Sequence, residues 1–486
     1  MAFWLVLMGL LIREVHFGKT GPAATGTEPR EKPAIGPAER EWKEIFLKDK
    51  KVGYAVNFIE PFQGGYFIQE EIFLRLNLMG LGTSLHSVTQ CRVDEGFFLR
   101  SFHLAVSSGV VRFHVTGRVA DGQLFIETGS GKDRKTETLR LVKTPLVSAG
   151  LAYYLRNREL KVGDVFRLPV LDPATLAQKE VILRVSSREP ITISRITYDA
   201  FRLEAEMWGK RIVTWVGTDG AVLKEEGFMG LTAVKSSAAR APEDLDAAGG
   251  ADLYEMTSVK PDRALPDPAR LGGLKLEISG LDGTELSDGV LNGGRQSYRG
   301  GILEVRREKV PPQAGYLLPY EDAAGTMRPF LVPEVNIQSH DEELGRKVRE
   351  IGGNDREPTT VARKLLDWVF RNVEKRPVLS IPSALEVLRT RVGDCNEHAT
   401  LLVALLRAAG IPSRLSIGLA YSRDRFYYHA WTEAYLGEWV TLDATLNQMP
   451  ADPGHVKLVE GNLEKQVVIA GLVGEIRVKV LDFQYD

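Results

Sequence analysis

The sequence has few cysteines and little imbalance of charge, and each scarcity excludes a class of protein. Its 486 residues include two cysteines, Cys91 and Cys395, so we expect neither a disulfide framework nor a zinc site built from paired CxxC motifs. The 62 Lys and Arg nearly balance the 64 Asp and Glu, so no global field favours nucleic acid, and we expect no nucleic-acid partner. The eight histidines are scattered, without an HExxH motif or an EF-hand loop. A metal-dependent enzyme is therefore the weakest option, and we expect no cofactor.

A long apolar run is also missing from the N-terminus. The run over residues 2–12 is too short for a membrane-spanning helix of about 20 residues. It is typical of the apolar region of a secretory signal, although no Lys or Arg precedes it; a buried amphipathic helix is the alternative. Residues 18–40 are rich in Gly, Pro, Ala, Thr and Glu, a composition typical of a flexible tether. We therefore interpret residues 1–40 as signal or anchor plus tether. The chain is expected to be exported and periplasmic or cell-envelope associated, with or without a membrane tether at its N-terminus.

Strand-forming patterns fill residues 41–240. Runs rich in β-branched and aromatic residues alternate with short turns, and Asp121-Gly122 and Asp219-Gly220 are strong hairpin signals. A helical segment is expected near residues 146–156. The pattern predicts an all-β antiparallel domain, either a curved sheet or a partial barrel. It resembles the curved-sheet domains of periplasmic carrier proteins in pattern only, so a lipid or protein partner and a plain spacer role both stay open.

The rest of the chain changes character twice. Residues 241–340 begin with an Ala-, Asp- and Glu-rich stretch and continue with Gly-rich turns and several prolines, including the pair Pro311-Pro312, which indicates a linker followed by a small β module. From residue 341 to 486 helices and strands mix, and residues 361–374 place apolar side chains at helical spacing. We therefore predict a multidomain protein whose C-terminal domain, residues 341–486, is α+β.

Cys395 stands at a predicted helix start. Asp394 is well placed as the N-cap, and Glu397 falls at the third helical position, where it completes a capping box. An apolar run follows and ends before Gly410 and Pro412, as expected beyond a helix C-terminus. A thiolate at the first helical position is stabilised by the positive end of the helix dipole. Cys395 is therefore the candidate nucleophile.

A nucleophilic cysteine needs a base and a group that orients the base. Residues 427–435 and 439–445 are predicted to form two strands of a hairpin. With a three-residue loop, Tyr435 pairs with Trp439, and His429 and Asp443 then lie on one face as diagonal neighbours. A two-residue loop would turn Asp443 to the other face. His398, one helical turn after Cys395, is a rival base without an evident Asp partner in the sequence.

The ordered Cys, His and Asp segments resemble the transglutaminase-like superfamily, whose fold is papain-like. The resemblance covers only about the last 130 residues. The matching segments are Gly393-Asp394-Cys395-x-Glu397-His398-Ala399, Leu405-Leu406-Arg407-Ala408-Ala409-Gly410-Ile411-Pro412-Ser413-Arg414, His429-Ala430-Trp431-x-Glu433 and Leu442-Asp443-Ala444-Thr445.

The resemblance implies that Cys395 is the catalytic nucleophile, His429 the base and Asp443 the residue that orients the imidazole. It also implies acyl transfer on peptide or glutamine amides through a thioester, with a protein or peptide as substrate. We expect a protease or amidase rather than a cross-linking enzyme. The alternative is a non-catalytic binding or scaffold protein of the cell envelope that keeps the fold without turnover. Calcium dependence is not carried over, because no matching acidic loop is present.

Overall fold

A computed structural model describes residues 38–486 except residues 48, 79–80, 109–110, 129–134, 157, 175, 177, 208–209, 228–229, 246–254, 256, 282–285, 287, 377–382, 462–468 and 470–471. The predicted signal and most of the predicted tether, residues 1–37, lie outside the described residues. Among the helices in the described part of the chain, none is long and apolar enough to cross a membrane. The chain divides into two compact units, one ending at residue 252 and the other beginning at residue 253. They are called the N-terminal unit and the C-terminal unit, and each is described by itself.

The N-terminal unit is built on strands, as its sequence pattern predicted. In its described residues fifteen strands form one sheet. They are β1 Glu39–Leu47, β2 Lys50–Phe62, β3 Gly65–Leu78, β4 Leu81–Val93, β5 Leu99–Ser108, β6 Val111–Ala120, β7 Gln123–Thr128, β8 Lys135–Arg140, β9 Leu146–Val147, β10 Val165–Leu171, β11 Gln178–Ile193, β12 Ile196–Met207, β13 Lys210–Gly217, β14 Val222–Glu226 and β15 Leu231–Ser236. Consecutive strands are neighbours from β1 to β8 and from β9 to β15, and β1 pairs with β15. Neighbouring strands run antiparallel except β9 and β10, which are parallel.

Tight turns explain why this meander is possible. At the β6–β7 turn Asp121 has φ 51° and Gly122 has φ 70°. Positive φ at both central residues is the geometry of the two-residue turn that matches the twist of paired strands, and Asp-Gly accepts it at low cost. Gly220, in the β13–β14 turn, also has a positive φ, 83°. Both sequence signals for hairpins are therefore confirmed.

One face of the sheet is buried, as the alternating pattern requires. In β5 the buried residues recur at every second position, and Phe102, Leu104 and Val106 belong to them. Helix α1, Ser148–Arg156, packs against β3, β4 and β9 and buries most of its length. A buried ion pair also lies in this unit, where Lys43 Nζ donates to Glu225 Oε2 at 2.9 Å. The predicted helical segment is thus the helix that covers part of this sheet.

The C-terminal unit mixes helices and strands. The helices that the structure describes in full are α2 Asp288–Leu291, α3 Glu342–Gly352, α4 Pro358–Asn372, α5 Ala384–Thr390 and α6 Cys395–Ala408, with 3-10 turns at Pro268–Arg270 and Arg328–Phe330. Its strands are β16 Leu271–Ser279, β17 Gln296–Arg299, β18 Ile302–Arg306, β19 Glu374–Lys375, β20 Val392–Gly393, β21 Ser413–Ser422, β22 Arg425–Tyr435, β23 Trp439–Leu442, β24 His455–Glu460 and β25 Arg477–Tyr485. The α+β class predicted for this part of the chain is confirmed.

Two four-stranded sheets organise this unit. The first has the order β17-β18-β16-β25. Its strands β16 and β25 pair although about 200 residues separate them, far more than a local turn spans. The second has the order β23-β22-β21-β24, with antiparallel neighbours. Helix α6 packs against β21 and β22 on one side and against α3, α4 and α5 on the other. Because α6 is surrounded, its apolar residues occur on all faces, which is the pattern of a buried helix.

Candidate functional site

Cys395 is the first residue of α6, and the predicted capping box at this helix start is confirmed. The Asn396 N–H donates to Asp394 Oδ1 at 3.0 Å, and the Asp394 N–H donates to Glu397 Oε2 at 3.0 Å. These bonds satisfy donors that a helix start leaves without a partner inside the helix. Cys395 is 5% exposed. Its sulfur therefore lies in a protected position at the positive end of the helix dipole.

The hairpin of β22 and β23 places His429 and Asp443. Tyr435 pairs with Trp439 and Thr432 pairs with Leu442. Of the two loop lengths considered from the sequence, the structure therefore has the three-residue loop. In this register Asp443 follows directly after β23 and lies on the same face as His429.

His429 and Asp443 are hydrogen bonded. The Nε2 atom of His429 donates to Asp443 Oδ2 at 2.7 Å. The other oxygen, Oδ1, accepts the N–H groups of Thr445 at 2.6 Å and Leu446 at 3.0 Å. The Asp443 side chain is fully buried, and burial by itself would raise its pKa. The two histidines bonded to it, His429 and His455, instead hold that pKa well below the usual range of an aspartate.

Cys395 is the second partner of His429. Burial lowers the pKa of His429, but the charge of Asp443, the sulfur of Cys395 and hydrogen bonds to both outweigh burial and raise it to about 10. Since Asp443 occupies Nε2, the other ring nitrogen, Nδ1, is left for the thiol. The structure therefore brings together the three residues named from the sequence. They are called the Cys–His–Asp cluster below.

His398, the rival base, lies elsewhere. It is fully buried, with Nδ1 at 2.7 Å from the carbonyl of Asp394 and Nε2 at 3.3 Å from the carbonyl of Val373. Burial lowers its pKa, against the opposing effect of these carbonyls and of nearby Asp394. Because both ring nitrogens face backbone carbonyls, His398 is placed to support the start of α6 rather than to take a proton from the thiol.

Glu433, two residues after Trp431 in the matching motif, belongs to a buried ionic cluster. Arg414 Nη2 lies 2.7 Å from Glu433 Oε2, and Lys457 Nζ lies 2.8 Å from Glu433 Oε1. Burial raises the pKa of Glu433, but the two cations lower it overall. This cluster links β21, β22 and β24, so Glu433 helps to hold the strand that carries His429.

The sequence pattern did not identify His455, which contacts the cluster, or Asp452, which bonds to His455. His455 Nε2 donates to Asp443 Oδ2 at 3.0 Å, and His455 Nδ1 donates to Asp452 Oδ1 at 3.2 Å. A histidine 12 positions after Asp443 carries no local pattern that would identify it. It can be found only once the pairing of β24 with β21 is known.

His429, Asp443 and His455 also have the composition of a metal site. Each offers one ligand atom, and the three atoms lie within 4.8 Å of one another. However, both Nε2 atoms point to the same carboxylate oxygen at 2.7 and 3.0 Å, which are ordinary hydrogen-bond lengths. A zinc ion would need ligand distances of about 2.0–2.2 Å to each of these atoms. The arrangement fits a hydrogen-bonded network, and no metal is assigned to it.

An α+β core that carries a cysteine at a helix start, facing a histidine and an aspartate on a hairpin, defines a papain-like class of fold. Within that class, residues 346–444 match the family model of the transglutaminase-like superfamily. The match covers less than half of the chain, so it describes the C-terminal part, which is transglutaminase-like as its motifs predicted. No curated protein matches the chain.

Solved structures show more distant likenesses. A Cytophaga hutchinsonii protein described as a putative cysteine protease is 21% identical, with a TM-score of 0.32, over 44% of this chain and 88% of that one. A beta-barrel-like protein from Brucella abortus, with a domain of unknown function, is 10% identical, with a TM-score of 0.33, over 42% of this chain and 97% of that one.

Proposed function

We propose that this chain is a cysteine enzyme that acts on peptide or glutamine amides by acyl transfer. The observation that carries the proposal is the connected geometry of the Cys–His–Asp cluster. Asp443 bonds to Nε2 of His429 at 2.7 Å, and the sulfur of Cys395 interacts with the same ring from the start of α6. This is the arrangement of a nucleophile, a base and a group that orients the base.

The proposed reaction has two halves. The Cys395 thiolate attacks the amide carbonyl carbon and forms the C–S bond, while the His429 imidazolium gives its proton to the leaving amine as the C–N bond breaks. The product is a thioester and neutral His429. In the second half His429 takes a proton from water, the oxygen attacks the thioester, and the C–S bond breaks to return the thiolate. An amine in place of water gives transamidation by the same steps.

Two groups assist the charge changes in this scheme. Asp443 holds the ring of His429 and stabilises its charged form, because a buried carboxylate beside an imidazolium favours protonation. The oxyanion of the tetrahedral intermediate needs donors, and the backbone N–H of Cys395, at the start of α6, is our candidate for one of them.

We favour hydrolysis over cross-linking because bacterial members of the superfamily that the motifs resemble are often hydrolases. Export to the periplasm or cell envelope, and docking of a substrate, lipid or protein partner on the N-terminal sheet, are further proposals that rest on the sequence pattern. The competing proposal is a scaffold protein without turnover. It is disfavoured by the intact set of nucleophile, base and orienting carboxylate.

The full chain tests the proposal against both kinds of acceptor. Hydrolysis of chromogenic peptide amides and incorporation of a fluorescent amine into glutamine peptides are compared for the wild type, Cys395→Ala and Cys91→Ala. We expect Cys395→Ala to abolish turnover, Cys91→Ala to retain it, and mass spectrometry to find the acyl group on Cys395. Turnover that survives Cys395→Ala would contradict the mechanism. A wild type that neither turns over any such amide nor forms an acyl adduct would favour the scaffold.

A further inference from the structure

His455 is a buried histidine that the proposed reaction does not use. It is the first residue of β24, and its side chain is fully buried. It lies beyond the residues 346–444 that match the family model. Its ring touches the Cys–His–Asp cluster, because His455 and His429 bond to the same oxygen of Asp443 and their ring centroids are 5.6 Å apart.

Both nitrogens of His455 face carboxylates. Nε2 lies 3.0 Å from Asp443 Oδ2 and Nδ1 lies 3.2 Å from Asp452 Oδ1. An ionised carboxylate can only accept hydrogen bonds, so both ring nitrogens must donate and the ring is an imidazolium. Burial lowers the pKa of His455, but the two aspartates raise it overall. A buried cation is tolerated when it is paired in this way.

Asp452, on the far side of the ring, is itself fixed. Gln448 Nε2 donates to Asp452 Oδ2 at 2.7 Å, and the Gly454 N–H donates to Asp452 Oδ1 at 2.8 Å. Arg295 Nη2 donates to the carbonyls of Asp452 at 2.8 Å and His455 at 2.9 Å. His455 is therefore held by its own backbone and by an anchored carboxylate, with little freedom to move.

Asp443 gains its orientation from four donors. Two backbone N–H groups bond to Oδ1, and the two histidine rings bond to Oδ2. Among the hydrogen bonds of the described residues, the one from His455 alone ties Oδ2 to a group outside the cluster and its own turn. We propose that His455 is a positioning residue that, held by Asp452, keeps Oδ2 of Asp443 directed at His429. This inference rests on the proposed function of the cluster.

The test uses the full chain with His455→Ala, His455→Gln and, as a packing control on the same strand, Leu458→Val. Leu458 is buried in β24, and its side chain has no polar atom that could bond to Asp443. We expect His455→Ala to lower kcat about 10- to 100-fold, because small displacements near reacting groups cost about this much, with KM nearly unchanged. His455→Gln should recover a large part of kcat, since its amide can still donate to Asp443. Leu458→Val should leave kcat nearly unchanged.

The pH profile of Cys395 alkylation by iodoacetate separates positioning from charge. This anion is attracted by the His429 imidazolium, so the alkylation rate falls on the alkaline limb of the profile, where that ring loses its proton. The charged groups that face the two rings are Cys395, Asp443 and Asp452, and the Arg295 guanidinium lies behind His455 on its carbonyl. If Asp443 loses its orientation in His455→Ala, the His429 imidazolium loses support, and the alkaline limb moves to lower pH. Loss of the His455 charge alone would move that limb to higher pH, because a neighbouring cation disfavours a second one.

Three outcomes would overturn the proposal: a kcat of His455→Ala within about twofold of the wild type, an alkaline limb that is unchanged or higher, or no recovery in His455→Gln. If His455→Ala does not fold, His455→Gln takes its place. It must melt at the wild-type temperature and lose less kcat than the loss of about 10- to 100-fold expected for His455→Ala. Alkylation needs no amide substrate. If the wild type is inactive on amides but His455→Ala still shifts the alkaline limb of alkylation as predicted, the proposed function is refuted and the role of His455 stands.

Discussion

Replacing Asp443 with Asn is the sharpest perturbation of the Cys–His–Asp cluster, because it changes one atom in a fully buried network. The carboxylate accepts four hydrogen bonds, two on each oxygen. Asparagine keeps one oxygen, which the N–H groups of Thr445 and Leu446 would retain. Its NH₂ group would then face the Nε2 atoms of His429 and His455, and donors would oppose donors.

The magnitude follows from the tautomer of His429. To avoid the clash, the ring would accept from the asparagine at Nε2 and carry its proton on Nδ1, the nitrogen that is left for the Cys395 thiol. A neutral ring that carries its proton on Nδ1 cannot take the thiol proton at that atom. In serine triads the same exchange of aspartate for asparagine lowers kcat about 10⁴-fold. We expect a loss of about 10³- to 10⁴-fold in kcat here, which is about 4 to 5.5 kcal/mol of transition-state stabilisation.

The assay compares kcat on a chromogenic peptide amide and the rate of Cys395 alkylation near neutral pH, for Asp443→Asn and the wild type. Asp424→Asn is the control, because Asp424 is exposed in the β21–β22 turn of the same sheet. Thermal melting establishes that each variant is folded. A folded Asp443→Asn protein that keeps kcat within about tenfold of the wild type would refute the reasoning, since the wrong tautomer could not then be formed.

Three further predictions test other parts of the structure. Iodoacetamide near neutral pH should label Cys395 more than about tenfold faster than Cys91, because Cys91 is 1% exposed and burial raises its pKa well above the usual range; peptide mapping measures this, and equal labelling would contradict it. Amide turnover should fall as pH rises through about 10, where the His429 imidazolium loses the proton that it gives to the leaving amine; an alkaline limb near pH 7 would be inconsistent. Lys43→Met should lower the free energy of unfolding in urea by about 3–5 kcal/mol, because it removes the cation that lies 2.9 Å from the buried Glu225 carboxylate, and Lys43→Met combined with Glu225→Leu should regain most of the loss.

Features decided within a few residues of sequence were predicted well. The capping box at Asp394 and Glu397 depends on side chains three residues apart. The strands predicted at residues 427–435 and 439–445 leave three residues for the hairpin loop, and the structure has this loop rather than the two-residue alternative. The Asp121-Gly122 turn is equally local. Such features leave regular signals in the sequence because their energies come from near neighbours.

Pairings between distant segments could not be read in this way. Strand β1 pairs with β15, and β16 pairs with β25, although long stretches of chain separate the partners. The alternation of apolar and polar residues indicates a strand and predicts which of its faces is buried. It does not say which strand that partner is, because many strands present the same alternation.

The sequence by itself therefore determined a β-rich N-terminal part, a C-terminal α+β part and the order of Cys395, His429 and Asp443. The tertiary structure decided how these three meet, and it added His455 and Asp452, two buried residues that no local sequence pattern marks as part of the site. It brings His455 to Asp443, and Asp452 to His455, because β24 pairs with β21 and because Arg295, from a distant segment, bonds to the carbonyls of both. A buried hydrogen-bond network is set by contacts between segments, and such contacts exist only after the chain has folded.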